Sequence, residues 1–382
     1  MTVSYRQYQG PADFESVSTF LINHYQSDNR DGNWFQPTWE YMHSHPALDE
    51  SNVGRIRIWE DDGEIVAVAN YESSLGEAFF HVKPGYDSLK PEMLAYAEDN
   101  FHGTDAEGKK HLNAFVNDFD TDFEDLVKAK GYELKRDWAR PVSQFTIPDP
   151  FPTIEVPEGF QLKSLADNND LYKINRVLWR GFNHEGEPPE GDQDIEERRK
   201  MQSGPNFRHD LTIVVEAPDG NFVSFCGMWY ENVNRIAYVE PVATDPDYRR
   251  MGLGKAAVWE GIRRCGVEGA TVAYVGSDQK FYHAIGFKTP HYRHCWIKYL
   301  EIIPPLASGS GQGRSRMLSP ESTRPRPLGT LHYSGVNREF DVAVRLCFAP
   351  TGGKKKRGVC VRKHPSYCLP SPDAGLAKSP DC

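Results

Sequence analysis

The chain has 382 residues, 39% hydrophobic and 12% aromatic, enough to build two packed domains and too apolar for wholesale disorder. No apolar run approaches the roughly 20 residues of a membrane span, and MTVSYRQYQG lacks the basic start and apolar segment of a secretory signal, so a cytoplasmic protein with no membrane partner is expected. The net charge of −10 is uneven: residues 304–382 hold 13 Lys and Arg against 5 Asp and Glu, a net of +8 that leaves −18 for residues 1–303, an acidic body that disfavours nucleic acid as a partner.

In chain order, ADFESVSTFLINHY (12–25) reads as an amphipathic helix, and IRIWEDDGEIVAVANYE (56–72) as a hairpin turning at Asp62-Gly63. HVKPGYDSLKPEML (81–94) and the helix FEDLVKAKGYE (123–133) follow. PDPFPTIEVPEG (148–159) reads as a proline-rich linker. The pattern then repeats, with helix NDLYKINRVLWRGF (169–182) and hairpin LTIVVEAPDGNFVSFCGMWYE (211–231) turning at Asp219-Gly220. Tyr5 aligns with Phe160, Gly63 with Gly220 and Gly131 with Gly286, at offsets of 155, 157 and 155. Two copies of one αββ…βαβα unit explain this register. From Pro304 the chain reads as a low-complexity basic tail, expected to be disordered, with a KKKR run at 354–357 and one possible strand, FDVAVRLCF (340–348). The seven cysteines all lie at or after Cys226 and form no CxxC pair, so neither a zinc site nor a redox motif is suggested.

Chemistry concentrates in RIAYVEPVATDPDYRRMGLGKAAVWEGIRRCG (235–266), which reads as strand, polar turn, glycine-rich loop and helix. Gly252 and Gly254 let backbone close on a ligand, and the helix start adds unpaired N–H groups and about half a positive charge. Arg249, Arg250 and Lys255 place cations beside them. An anionic cofactor would need such a local positive site on this acidic body. A Walker loop fails because Ala256 follows Lys255. A dinucleotide fingerprint GxGxxA fits loosely, but DPDYRR separates it from its strand. Alternation along Tyr238–Val242 puts Glu240 on one face with Val242, and Pro241 marks an edge, bulge or splay.

The helix is followed by strand TVAYVGSD and then QKFYHAIGFK (279–288). Strand, Arg-x-x-Gly-x-Gly, helix, strand and Phe-Tyr-x-x-x-Gly-Phe over 237–288 resemble the GNAT N-acetyltransferase pattern. The likeness is looser over 160–300 and weak, through the repeat, over 1–148; the layout is similar to tandem-GNAT enzymes. The resemblance implies two tandem α/β domains, each a mixed sheet flanked by helices: 1–148 degenerate, 149–159 linker, 160–303 catalytic, 304–382 tail. It implies acetyl-CoA as co-substrate, a small-molecule amine acceptor, no metal, and a monomer or homodimer. Carried onto matching positions, Val242, Ala243 and Thr244 take the pantetheine, and Arg249, Arg250, Met251, Gly252, Leu253, Gly254 and Lys255 cradle the pyrophosphate, chiefly through amides. Tyr282 protonates the departing thiolate, and Glu240 is the base, directly or through water; Asp278 is a helix cap or cofactor contact. The acceptor is expected against Trp229 and Tyr230 on the preceding strand and Asn183 and His184 after the first helix of the second unit. The rival reading from another class is a catalytically silent acyl-CoA-binding or regulatory module, which would have no need of Tyr282 and Glu240.

The first copy departs from this pattern. HVKPGYDSLKPEML has no Arg-x-x-Gly-x-Gly, Pro91 stands at its helix start, and Val127 occupies the position of Tyr282. This half is expected to buttress the second or to wall the acceptor cleft without catalysing.

Overall fold

Both Asp-Gly pairs turn hairpins. Asp62 and Gly63 have φ of 52° and 81°, the positive pair a two-residue turn between right-twisted strands requires. Gly220 has φ 82°, and the Asp219 carboxylate accepts from the Asn221 N–H at 3.0 Å. The computed structural model describes residues 3–300; the basic tail expected from 304, its KKKR run and the strand expected at 340–348 lie outside the described residues.

The first set of elements is β1 (Ser4–Gln7), α1 (Pro11–His24), α2 (Gln36–Ser44), β2 (Arg57–Asp61), β3 (Glu64–Asn70), β4 (Glu77–Val82), α3 (Lys90–Asn100), β5 (Gly103–Thr104), β6 (Lys110–Asn117), α4 (Thr121–Ala129) and β7 (Glu133–Thr146). The second is β8 (Gln161–Ser164), α5 (Leu171–Gly181), α6 (Asp192–Lys200), β9 (Ile213–Glu216), β10 (Phe222–Glu231), β11 (Ile236–Thr244), α7 (Leu253–Val267), β12 (Val272–Val275), α8 (Lys280–Ala284) and β13 (Lys288–Leu300). Without the short β5, the two sets match element for element. This is the mixed α/β architecture expected, with helices flanking the sheet.

The strands form one sheet of thirteen, in the order β1-β2-β3-β4-β6-β13-β7-β12-β11-β10-β9-β8, with β5 on β6. The terminal strands of the two sets are exchanged. β13 pairs with β6 along Arg293–Leu300, and β7 pairs with β12 at Ser143–Thr146. Separating the halves would therefore strip each of its last strand. One core packs beneath the first half around Trp39, Ile58 and Met93, another between α7 and the second half around Val239, Ile262 and Phe287. A third cluster joins Phe35 and Tyr41 to Trp229, Tyr238 and Tyr274 across the halves. Phe35 stacks on Tyr274 at 4.3 Å between ring centroids. The buried Glu40 carboxylate accepts from Gln36 in its own helix and from the Asn206 backbone and side chain. Among the described residues no helix is long and apolar enough to cross a membrane.

Candidate active site

The site begins where β11 and β12 part. The two strands pair in parallel over only three positions, Ile236–Val272 to Tyr238–Tyr274; β12 then ends at Val275 while β11 runs on to Thr244. A bulge accompanies the parting. Met228 opposes Val239 and Cys226 opposes Val242, so Gly227 alone faces both Glu240 and Pro241. A Cβ at position 227 would collide with the Glu240 carbonyl, which is why glycine stands there. The Glu240–Pro241 bond is cis, and the Trp229 indole N–H donates to the Glu240 carbonyl at 3.1 Å from behind the strand.

Below the bulge exposure alternates: Glu240, Val242 and Thr244 are half-buried and Pro241 and Ala243 buried. A cavity of about 1190 Å³ opens along this strand. Glu240, Val242, Ala243, Thr244, Tyr238 and Tyr282 line its middle. Burial pushes the Glu240 carboxyl up to about 7, so near neutral pH it exchanges a proton readily. Tyr282 is buried on α8. Burial first, then the nearby Glu240 charge, push its phenol well above the usual value, and it stays protonated. Tyr238, also lining the cavity, is pushed up to about 12 by burial and by Glu240.

One end of the cavity is formed by Arg249, Arg250, Gly252, Leu253, Gly254 and Lys255. Gly252 sits at the α7 N-cap with φ 82°, and no side chain caps the helix. The amides of its first turn therefore face the cleft with only a ligand or water to satisfy them. A Cβ at Gly254 would lie 2.9 Å from Thr244 Oγ1 and 3.5 Å from the Phe281 ring, so the helix start is drawn hard against β11. The cations divide their work. Arg249 donates to the Thr244 and Gly181 carbonyls and to Asn183 Oδ1, fastening the loop after α5 to the cradle. Lys255 lies over the Trp259 ring at 3.9 Å, and Arg250, at φ 65°, is exposed. The fully buried Asp245 accepts a two-pronged pair from Arg180, at 2.6 and 3.0 Å, and a bond from Arg176, docking α5 onto the turn before the cradle. The donor set, uncapped amides with an exposed guanidinium beside them, fits a pyrophosphate.

The other end is built by the first half: Trp34 and Thr38 near α2, Glu72, Glu77 and Phe79 around β4, Phe115 on β6, and Asp137, Trp138 and Arg140 on β7. Arg140 reaches Glu72 and Glu77 and stacks its guanidinium over Phe115 at 4.4 Å and Phe79 at 5.0 Å. The expected second-half acceptor residues lie elsewhere, Asn183 excepted, which lines the cleft. Trp229 stands behind β11, the Tyr230 hydroxyl donates to the Glu268 carbonyl, and His184 packs on Trp179 at 4.5 Å. His184 is held below the usual imidazole value by burial, then by Arg198. Met251 is exposed outside the cavity lining, and the Asp278 carboxylate accepts from the Tyr292 hydroxyl at 3.2 Å. Trp229 and Tyr230 were expected together as an aromatic wall, but successive residues of a strand point to opposite faces. Asp245 and the first-half wall carry no local sequence signal beyond a polar turn and scattered charges.

Comparison with known proteins agrees with this geometry. Residues 169–287 match the model of the Acetyltransferase (GNAT) family. Mycothiol acetyltransferase of Saccharomonospora viridis is 28% identical over 154 residues, covering 36% of this chain and 49% of that protein; the chain thus matches about half the length of that curated relative. Among solved structures, a GCN5-related N-acetyltransferase from Sphaerobacter thermophilus aligns over 78% of this chain and 95% of its own, with TM-score 0.52 and 19% identity. A tandem GNAT protein from the clavulanic acid biosynthesis pathway aligns over 78% and 98%, with TM-score 0.53 and 12% identity.

Proposed function

We propose that this chain, which carries a GNAT acetyltransferase domain within residues 169–287, is an acyl-CoA-dependent N-acyltransferase that passes an acetyl group from acetyl-CoA to a primary amine in a ternary complex. The observation that carries the reading is the convergence of three groups on one cleft: the uncapped α7 start, the half-buried Glu240 with its carboxyl near 7, and the protonated Tyr282. We assign 160–303 as the catalytic unit, 1–148 as its support and 149–159 as the linker, β7 and β13 being exchanged between the two.

The bound cofactor supplies a thioester carbonyl open to attack by nitrogen. The amides of Gly252–Lys255 and the Arg250 side chain would hold its pyrophosphate, and the open edge of β11 at Val242–Thr244 would pair with its pantetheine arm. Glu240 takes a proton from the incoming ammonium, directly or through one water, so that a neutral amine forms the new N–C bond. Tyr282 would give its hydroxyl proton to the sulfur as the C–S bond breaks; the second proton of the amine nitrogen passes to solvent, and the proton held by Glu240 replaces the one Tyr282 gave up, restoring both groups. Backbone N–H groups along the parted strand are fixed before reaction, so they can stabilise developing negative charge without reorganising.

The test is thiol release from acetyl-CoA across a library of primary amines, with Tyr282→Phe as control. Amine-dependent release that falls sharply in the variant supports the assignment. Tight acetyl-CoA binding without release over any amine class would instead favour a binding module.

A further inference from the structure

One guanidinium of the cleft is anchored by a single nitrogen and left open at the others. Arg293 on β13 lines the cavity. Its Nη2 donates to the Asn33 carbonyl at 3.0 Å and to Asn29 Oδ1 at 3.1 Å. A guanidinium has five N–H donors, and among the described residues those on Nε and Nη1 make no hydrogen bond, nor is either nitrogen sealed from solvent. The two acceptors on Nη2 are uncharged, so they orient the group without neutralising it.

The charge has no counter-ion. Arg293 stands directly opposite Arg140 on β7 and Asn117 on β6, and like charges facing across a sheet repel. Arg140 is itself engaged by Glu72 and Glu77. Among the described residues no carboxylate comes within ion-pair distance of Arg293. Asp31, whose charge reaches it, accepts instead from the Gln26 and Asn33 backbone N–H groups. Burial holds the guanidinium below its usual value. A desolvated cation left unpaired is costly, and an anion entering the cleft would relieve that cost.

The place suits a substrate group. Tyr238, Tyr274, Gln144 and Lys288 pair in turn across β11, β12, β7 and β13. Arg293 lies beyond this row, on the side toward which β11 continues through Glu240 and where β12 has already ended at Val275. It therefore stands across the gap left by β12 from Glu240, and both side chains line the same cavity. Three strand spacings put the two backbones on the order of 15 Å apart. A guanidinium pairs best with a carboxylate or a phosphate, and the cofactor's phosphates have their cradle at the other end of the cleft.

From this placement we infer that Arg293 binds a carboxylate of the substrate, that of an amino-acid-like acceptor whose amine faces Glu240. The inference rests on the acyltransferase reading for the reacting end, but its test does not depend on turnover. Glycine, γ-aminobutyrate and ε-aminocaproate are titrated calorimetrically against their carboxamides into the full chain, with and without saturating coenzyme A. Succinyl-CoA is titrated against acetyl-CoA in parallel. Wild type, Arg293→Gln and Arg293→Lys are compared. At least one amino acid should bind the wild type about tenfold tighter than its amide, with the preference lost in Arg293→Gln and partly kept in Arg293→Lys. A preference for succinyl-CoA over acetyl-CoA that Arg293→Gln abolishes would support the same carboxylate site with the acyl chain as its source. Equal affinity within every pair, or a preference indifferent to Arg293→Gln, would overturn the inference. Coenzyme A affinity and melting temperature separate loss of a subsite from loss of fold; if Arg293→Gln proves unstable, the wild-type acid-to-amide ratio and Arg293→Lys still decide. Absent coenzyme A binding by the wild type would instead overturn the acyltransferase reading, while the acid-to-amide ratio of the chain alone still reports on Arg293.

Discussion

The two halves start from the same parted strands and end differently. In the first half, β4 and β6 pair only at Glu77–Asn113 and Ala78–Ala114 before diverging, as β11 and β12 do after Tyr238. There the gap is filled by protein. The Asn33 side chain accepts from the Val82 N–H at 2.8 Å and donates to the Val82 carbonyl at 3.3 Å, taking the place of a neighbouring strand. His81 Nδ1 accepts from the Trp34 N–H at 3.2 Å, Trp34 packs on Phe79 at 4.7 Å, and Arg293 arrives from β13 to bind the Asn33 carbonyl. At the corresponding helix start Pro91 occupies the first turn, and Lys90 is tied to Asp87 and Asp120. One architecture thus gives, in the first half, a parted edge whose backbone groups the chain itself partners and which walls the cleft, and in the second half an open, cationic end. What distinguishes them is whether the chain satisfies its own backbone groups.

The largest effect that would sharpen this contrast is expected from Gly254→Glu. The added side chain meets Thr244 and puts a carboxylate where an anion should sit, so acetyl-CoA affinity should fall at least 100-fold by calorimetry. Pro91→Glu, at the matching place in the first half, should leave it unchanged. Next is Tyr282→Phe, which should lower kcat on the order of 10²-fold with acetyl-CoA affinity intact; an equal loss of both would make Tyr282 a packing residue.

Glu240→Gln should act on both rate and stability. In the wild type kcat/KM should rise as pH passes about 7, and the variant should lose that limb. Because burial raises the folded-state value, this group's contribution to stability is full below about 4.5 and is lost as pH climbs toward 7. Urea denaturation should accordingly find Glu240→Gln more stable than wild type at pH 8, by on the order of 1–3 kcal/mol, and little different at pH 4. The smallest effect should come from Asn33→Ala. Leaving the Val82 backbone groups unpartnered costs about 1–3 kcal/mol in urea denaturation, yet acetyl-CoA affinity should not change. A second molecule bound by this variant would show that the first-half edge is a masked site.

Much of this was legible in sequence because the signals are local. Asp62-Gly63 and Asp219-Gly220 demand their turns, and Gly252 to Lys255 announce an open helix start. Pro241 warned that β11 could not pair normally, and the structure shows a bulge there. The strand exchange was not legible, since β7 and β13 choose partners more than a hundred residues away and nothing in ELKRDWARPVSQFT or KTPHYRHCWIKYL specifies which sheet edge receives them. For the same reason the first half could be expected to wall the cleft, but the residues that do so, Glu72, Arg140 and Trp138, could not be named. Trp229 and Tyr230 were expected at the ligand as aromatic residues on the neighbouring strand, although successive strand residues point to opposite faces; the Trp229 indole instead donates to the Glu240 carbonyl.

The central claim, that one half binds acyl-CoA and the other is closed to it, is tested most directly by the stoichiometry of acetyl-CoA binding to the full chain in a calorimetric titration. The account predicts one molecule per chain. Two per chain, or none, would contradict it.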